Sequence, residues 1–144
     1  EKLGKKITSV IREYLAVLSI NNDLVDIYFQ RSWATITKTK EQIQPHSHDQ
    51  SNISFAYYPL KPKNSGDIRF IAEPQNEIAK GLFHKEKLNL GLLKSVNQRN
   101  TPNIDLHVKE DDIIIFPSYL QHTVPAGKYN SHRVTIALNL NVPL

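Results

Sequence analysis

The 144-residue sequence contains no cysteine and no methionine. The first absence excludes disulfides and thiolate metal ligands, so any metal here must be held by nitrogen or oxygen. It also fits a reducing compartment, and a cytoplasmic location is expected, the host cytoplasm if the chain is viral. Long apolar runs are missing as well. No stretch reaches the roughly 18 residues that read as a membrane-spanning helix. Lys5, Lys6 and Arg12 interrupt any signal-peptide core near the start, and no membrane partner is expected. The net charge is +4 with a pI near 9.3, yet no basic run interleaves with aromatics. That argues against a nucleic-acid partner and for solvated surface charge, which would also draw in small anions.

What is present describes one globular domain over 1–144. Hydrophobic residues make up 40% and charged residues 22%, enough for a core without cross-links. Opening on Glu1 rather than Met, the chain is expected to be a processed or trimmed form. Leu3, Ile7, Val10, Ile11, Tyr14, Leu15 and Leu18 recur at helical spacing. They predict an amphipathic helix that lies on a core and is ended by Asn21 and Asn22. Residues 1–29 are therefore read as helical support and 31–142 as a strand-rich body. Strands are expected over 32–39, 53–58, 66–71, 113–116 and 133–140, the fourth apolar throughout and so buried on both faces. Residues 75–103 read as a long excursion. A helix followed by many short strands implies a β-sandwich or jelly roll with helices on one side, because no helical pattern separates the strands between 32 and 72.

Histidines carry the chemical signal. His46 and His48 lie two apart in an extended segment, so both rings face one side and can bind one ion. Asp49 offers a hard oxygen next to them. Alone, such a pair is commonly a surface feature. His122 follows the apolar strand, and Arg133 comes eleven positions later at the start of the last strand. There Val134, Ile136, Leu138 and Leu140 take one face, and Arg133, Thr135, Ala137 and Asn139 the other. The second face reads as a polar pocket wall, or as the solvated face of an edge strand. A guanidinium on it suits a carboxylate, since its planar fork donates two parallel hydrogen bonds. Ser54 and Tyr58 share a face of their strand, while Tyr57 points away into packing. Trp33 reads as core; His84, His107 and His132 read as surface.

Taken in order, Ser32-Trp33, His46-Ser47-His48, Ser54-Phe55-Ala56-Tyr57-Tyr58, Phe116-Pro117-Ser118 with His122, and Arg133-Val134-Thr135 resemble the 2-oxoglutarate and Fe(II) oxygenase superfamily. The resemblance covers residues 31–142 and is strongest to the prolyl-4-hydroxylase-like branch and to small phage and bacterial members. It implies a double-stranded β-helix (a cupin-like jelly roll) with Fe(II), 2-oxoglutarate and O2. By resemblance, His46 and His122 are iron ligands. His48 stands where the family carries Asp or Glu, so the third ligand is His48 or Asp49; spacing and facing favour His48. Arg133 would grip the distal carboxylate of 2-oxoglutarate, helped by Thr135 and Tyr58, with Ser54 and Asn139 lining the pocket. The implied activity is a hydroxylation that releases succinate and CO2, on a substrate such as a prolyl or other protein side chain, contacted by loops 73–105 and 125–131. The rival readings are a cupin-like module that binds metal without catalysis, and a β-sandwich attachment domain with incidental histidines.

Overall fold

The computed structural model describes residues 2–71, 90, 91, 94 and 103–143. One α-helix, α1 (Lys2–Val17), precedes a 3-10 turn at Asn22–Leu24 and eight strands. These are β1 (Tyr28–Thr37), β2 (Ile43–His46), β3 (Ile53–Leu60), β4 (Ile68–Ile71), β5 (Asn103–Leu106), β6 (Ile113–Pro117), β7 (His122–Val124) and β8 (Arg133–Asn141). They form two antiparallel sheets, ordered β1-β8-β3-β6 and β2-β7-β4-β5. The fold is mostly β, a jelly roll as expected.

Helix α1 buries Ile7, Ile11 and Leu15, one row at four-residue spacing, against Ile53, Phe55, Leu138 and Leu140 of the first sheet. It ends earlier than the asparagines suggest. Ser19 adopts φ 59°, the Ile20 N–H donates to the Leu15 carbonyl at 2.9 Å, and the Ser19 N–H donates to Ala16. This left-handed cap closes the helix and leaves Leu18 exposed beyond it. Asn21 instead caps the 3-10 turn, accepting from the Asp23 N–H.

Sheet one separates two cores. The face away from α1 carries Ala56, Tyr58, Ile114 and Phe116, which pack with Ile68 and Val108. Strand β6 departs from the expected burial. It is an edge strand, so Ile113 is 38% exposed, whereas Ile114 and Phe116 face the inter-sheet core and Ile115 packs on the helix side. Strand β1 begins at Tyr28, ahead of the boundary at 31 read from the sequence. Strands β2, β5 and β7 carry no pattern long enough to reveal them, at 3 to 4 residues each. The excursion expected over 75–103 lies outside the described residues except for 90, 91, 94 and 103.

Candidate active site

A cavity of about 130 Å³ lies between the sheets, with His46, His48, His122, Tyr58, Arg133 and Thr135 among its lining residues. Two short strands set its histidines. His46 ends β2 and His122 opens β7, and the two are direct register partners. Their ring centroids are 4.3 Å apart, and that of His48 lies 5.0 Å from His46 and 5.3 Å from His122. One ligand atom from each of the three falls within 4.8 Å of the others.

Hydrogen bonding prepares two of the rings. His46 Nδ1 contacts the Gln44 carbonyl at 2.8 Å and His122 Nδ1 the Leu120 carbonyl at 2.9 Å. A carbonyl can only accept, so each Nδ1 carries a proton and Nε2 is the atom left to bind a metal. The same second contact fixes tautomer and ring orientation in metal-binding histidines. Burial away from water pushes His122 down to about 4, with His46 and His48 adding to the effect and the Leu120 carbonyl opposing it. Burial likewise lowers His48, seconded by His46. Both rings are therefore neutral near pH 7, the form that binds metal.

Asp49 does not join them. It is exposed, and its carboxylate accepts from Ser47 Oγ at 2.7 Å. Among the described residues no carboxylate belongs to the histidine group. The group therefore offers three imidazoles and no carboxylate, a set that suits Fe, Zn, Cu or Ni.

Arg133 sits on the same cavity wall and is only 3% exposed. One of its nitrogens donates to the Ser65 carbonyl at 3.0 Å, and its Nε has no partner. Among the described residues no carboxylate pairs with it. Burial lowers its proton affinity, while Tyr129 and Tyr58 oppose that. Tyr58, 3% exposed beside it, is pushed up to about 12, mainly by burial, and keeps its phenolic proton. Ser65 is held in place by close backbone approach. A side chain on Gly127 would come within 2.1 Å of the Asn64 carbonyl, and one on Gly66 (φ 81°) within 2.3 Å of the Pro125 carbonyl. The 125–131 loop, expected to touch substrate, thus buttresses the Arg133 end. Its Tyr129 is buried against Thr37. The 73–105 loop falls almost wholly outside the described residues, as does His84.

The remaining expected residues divide. The β8 alternation holds: Arg133, Thr135, Ala137 and Asn139 line the cavity, while Ile136, Leu138 and Leu140 pack toward α1. Asn139, however, is six residues from Arg133, about 20 Å along a strand, so no single small molecule touches both. Ser54 is its register partner and donates to Asn139 Oδ1 at 3.0 Å. Ser54 Oγ also lies 2.8 Å from Ser118 Oγ. Tyr57 points away from the cavity and donates to Asp111. His107 and His132 are exposed, the former paired with Asp67.

Two participants escape the sequence reading. Trp33 is half-buried in the cavity wall rather than in a core, its ring 5.4 Å from His48 and edge-on; its even spacing from Thr35 on β1 is the signal that could have found it. Ser118 is fully buried, and its carbonyl accepts the His48 N–H; only its place in the Phe-Pro-Ser segment hinted at it.

The family described as "Putative 2OG-Fe(II) oxygenase" matches residues 31–139. The chain belongs to this 2OG-Fe(II) oxygenase family. The match spans β1 to β8 and takes in all three histidines and Arg133. No curated protein matches the chain.

Proposed function

We propose that the protein is an Fe(II)- and 2-oxoglutarate-dependent dioxygenase in which His46, His48 and His122 hold the metal and Arg133 holds the far carboxylate of 2-oxoglutarate. The observation that carries this reading is Arg133 itself. A guanidinium 3% exposed, with no carboxylate partner among the described residues, faces the cavity that three imidazoles also face. Burying a charge without a counterion is costly unless a ligand supplies one. A small dicarboxylate does so, and its other end then reaches toward the histidines.

Iron bound there supplies oxygen activation coupled to decarboxylation of 2-oxoglutarate to succinate and CO2, and hydroxylation of a C–H bond. The chain's own residues do the rest. Arg133 presents two parallel donors, and Tyr58 and Thr135 add hydroxyl donors at the same end. Burial of Tyr58 keeps it a donor at any physiological pH. The Gln44 and Leu120 carbonyls hold the His46 and His122 rings by Nδ1, so that Nε2 would take the metal, and Phe70 and Phe116 pack on the His122 ring and exclude water on that side. The family resemblance implies a prolyl or other protein side chain as substrate; the surface beside His48 favours a different class.

Anaerobic addition of Fe(II) and then 2-oxoglutarate tests the reading. A visible charge-transfer band is expected only when both are present, and it should vanish in Arg133→Ala while Fe(II) still binds. A protein that binds metal but never develops the band is a non-catalytic metal-binding module.

A further inference from the structure

A depression of about 460 Å³ opens beside the metal-side cavity and shares His48 and Asn139 with it. Gln30, Arg31, Asp49 and Ser51 form most of the rest, and every residue lining it carries a polar or charged side chain. A bulge in β1 makes this possible. The register against β8 passes from Phe29–Leu140 directly to Arg31–Asn139, leaving Gln30 without a partner residue. The extra residue resets the alternation, so neighbouring residues 30 and 31 both reach the groove.

The groups in the groove are oriented and incompletely used. The Arg31 guanidinium carbon lies 5.5 Å from the Trp33 ring centroid, and among the described residues no carboxylate pairs with it. This cation–π contact holds the guanidinium over the indole and leaves its N–H groups to a ligand. Asp49 accepts one hydrogen bond, from Ser47, out of the several a carboxylate can take. Gln30 accepts from Ser51, which leaves its amide N–H groups outward. Asn139 is pinned by the Ser54 hydroxyl on Oδ1, so its NH2 is turned to the space that joins the groove to the cavity.

We infer that this groove is the substrate port and that its ligand is a small zwitterion of the free amino-acid class, its carboxylate on Arg31, its ammonium on Asp49, and Asn139 donating to it at the passage toward the metal. The inference rests on the oxygenase reading of the adjoining cavity. A residue inside a peptide chain has neither free terminus, and would leave both groove charges unpaired; a prolyl ring would bring apolar surface against a wholly polar wall.

The test uses metal-loaded protein with 2-oxoglutarate and the common L-amino acids, one at a time. Trp33 is the sole tryptophan, and its ring contacts Arg31 and His48 of the groove. At least one amino acid should change its fluorescence saturably and raise succinate release. Its amide and its N-acetyl derivative should each bind about tenfold more weakly, as expected for loss of one charge-assisted contact. Arg31→Gln should lose the carboxylate preference, and Arg31→Lys should recover part of it. The inference is overturned if no amino acid acts, if the blocked derivatives bind as well, if prolyl peptides act instead, or if Arg31→Gln behaves as the parent. The iron–2-oxoglutarate band, read in the same samples, separates this failure from failure of the oxygenase reading, and the Trp33 titration decides the groove even where that band is absent.

Discussion

The backbone N–H of His48 donates to the carbonyl of Ser118 at 2.9 Å, while the Ser118 N–H donates to Asn52. One buried serine thus ties the turn that carries His48 to the segment after β6. Its hydroxyl completes the tie through Ser54 to Asn139.

Replacing Ser118 with Ala removes the hydroxyl but not the backbone bonds. A loss of about 1–2 kcal/mol is expected, because Ser54 is left short of a partner in a dry site. Thermal unfolding of the single and double Ser54/Ser118 variants measures it. Additive losses would show that the two hydroxyls do not depend on each other.

Arg133→Met should raise the melting temperature of the ligand-free protein, since it exchanges a buried charge lacking a counterion for apolar volume. The same variant should lose the stabilisation that 2-oxoglutarate gives the metal-loaded parent. Scanning calorimetry with and without ligand reads both effects. A less stable ligand-free variant would mean that the Ser65 contact outweighs the desolvation of the charge.

Stability of the metal-free protein should fall as the medium is acidified. His122 titrates at about 4 when folded against 6.5 in the unfolded chain, so the unfolded chain binds the proton more tightly. The contribution is complete above about pH 6.5 and is lost as pH falls toward 4, at up to about 1.4 kcal/mol per pH unit. His48 is shifted the same way. His122→Gln should flatten the decline in melting temperature between pH 7 and 5; an unchanged slope would assign the effect to other groups.

Gly127→Ala should weaken 2-oxoglutarate binding without touching the histidines. Its added carbon meets the Asn64 carbonyl at 2.1 Å and Ser65 C at 2.8 Å, and the backbone must shift where Ser65 holds Arg133. Isothermal titration should show reduced cosubstrate affinity with metal affinity preserved. An equal loss of both would point to general unfolding.

Ser19→Gly should stabilise the protein by roughly 0.5–1 kcal/mol, because the cap needs φ 59° and glycine adopts it freely. A chemical denaturation midpoint checks this; no gain would mean that the serine side chain offsets the strain.

These sites were unequally visible in the sequence. The β8 face was legible because a nine-residue strand shows several full periods, and the row Ile7–Ile11–Leu15 was legible for the same reason. The histidines could be named but not joined. Their meeting depends on β2 and β7, too short to show a period, and on a cross-strand register that local pattern does not encode. Trp33, Ser118 and the Ser65 carbonyl were hidden because an indole reads as core, a serine as loop, and a backbone oxygen carries no residue signature. Spacing favoured His48 over Asp49 without excluding the carboxylate; the turn that leaves Asp49 in water and sets His48 beside Trp33 separates them.

The bulge at Gln30 also bears on how the molecule stays separate from its neighbours. Strand β1 is the outer strand of its sheet, ten residues long, and carries exposed Tyr28, Phe29 and Ile36. Straight and unbroken, that margin would be a template on which a second copy could add its own strand. One unpaired residue followed by a cation breaks the row of N–H and C=O groups near the start of the strand, so the irregularity that shapes the groove also guards against edge-to-edge aggregation.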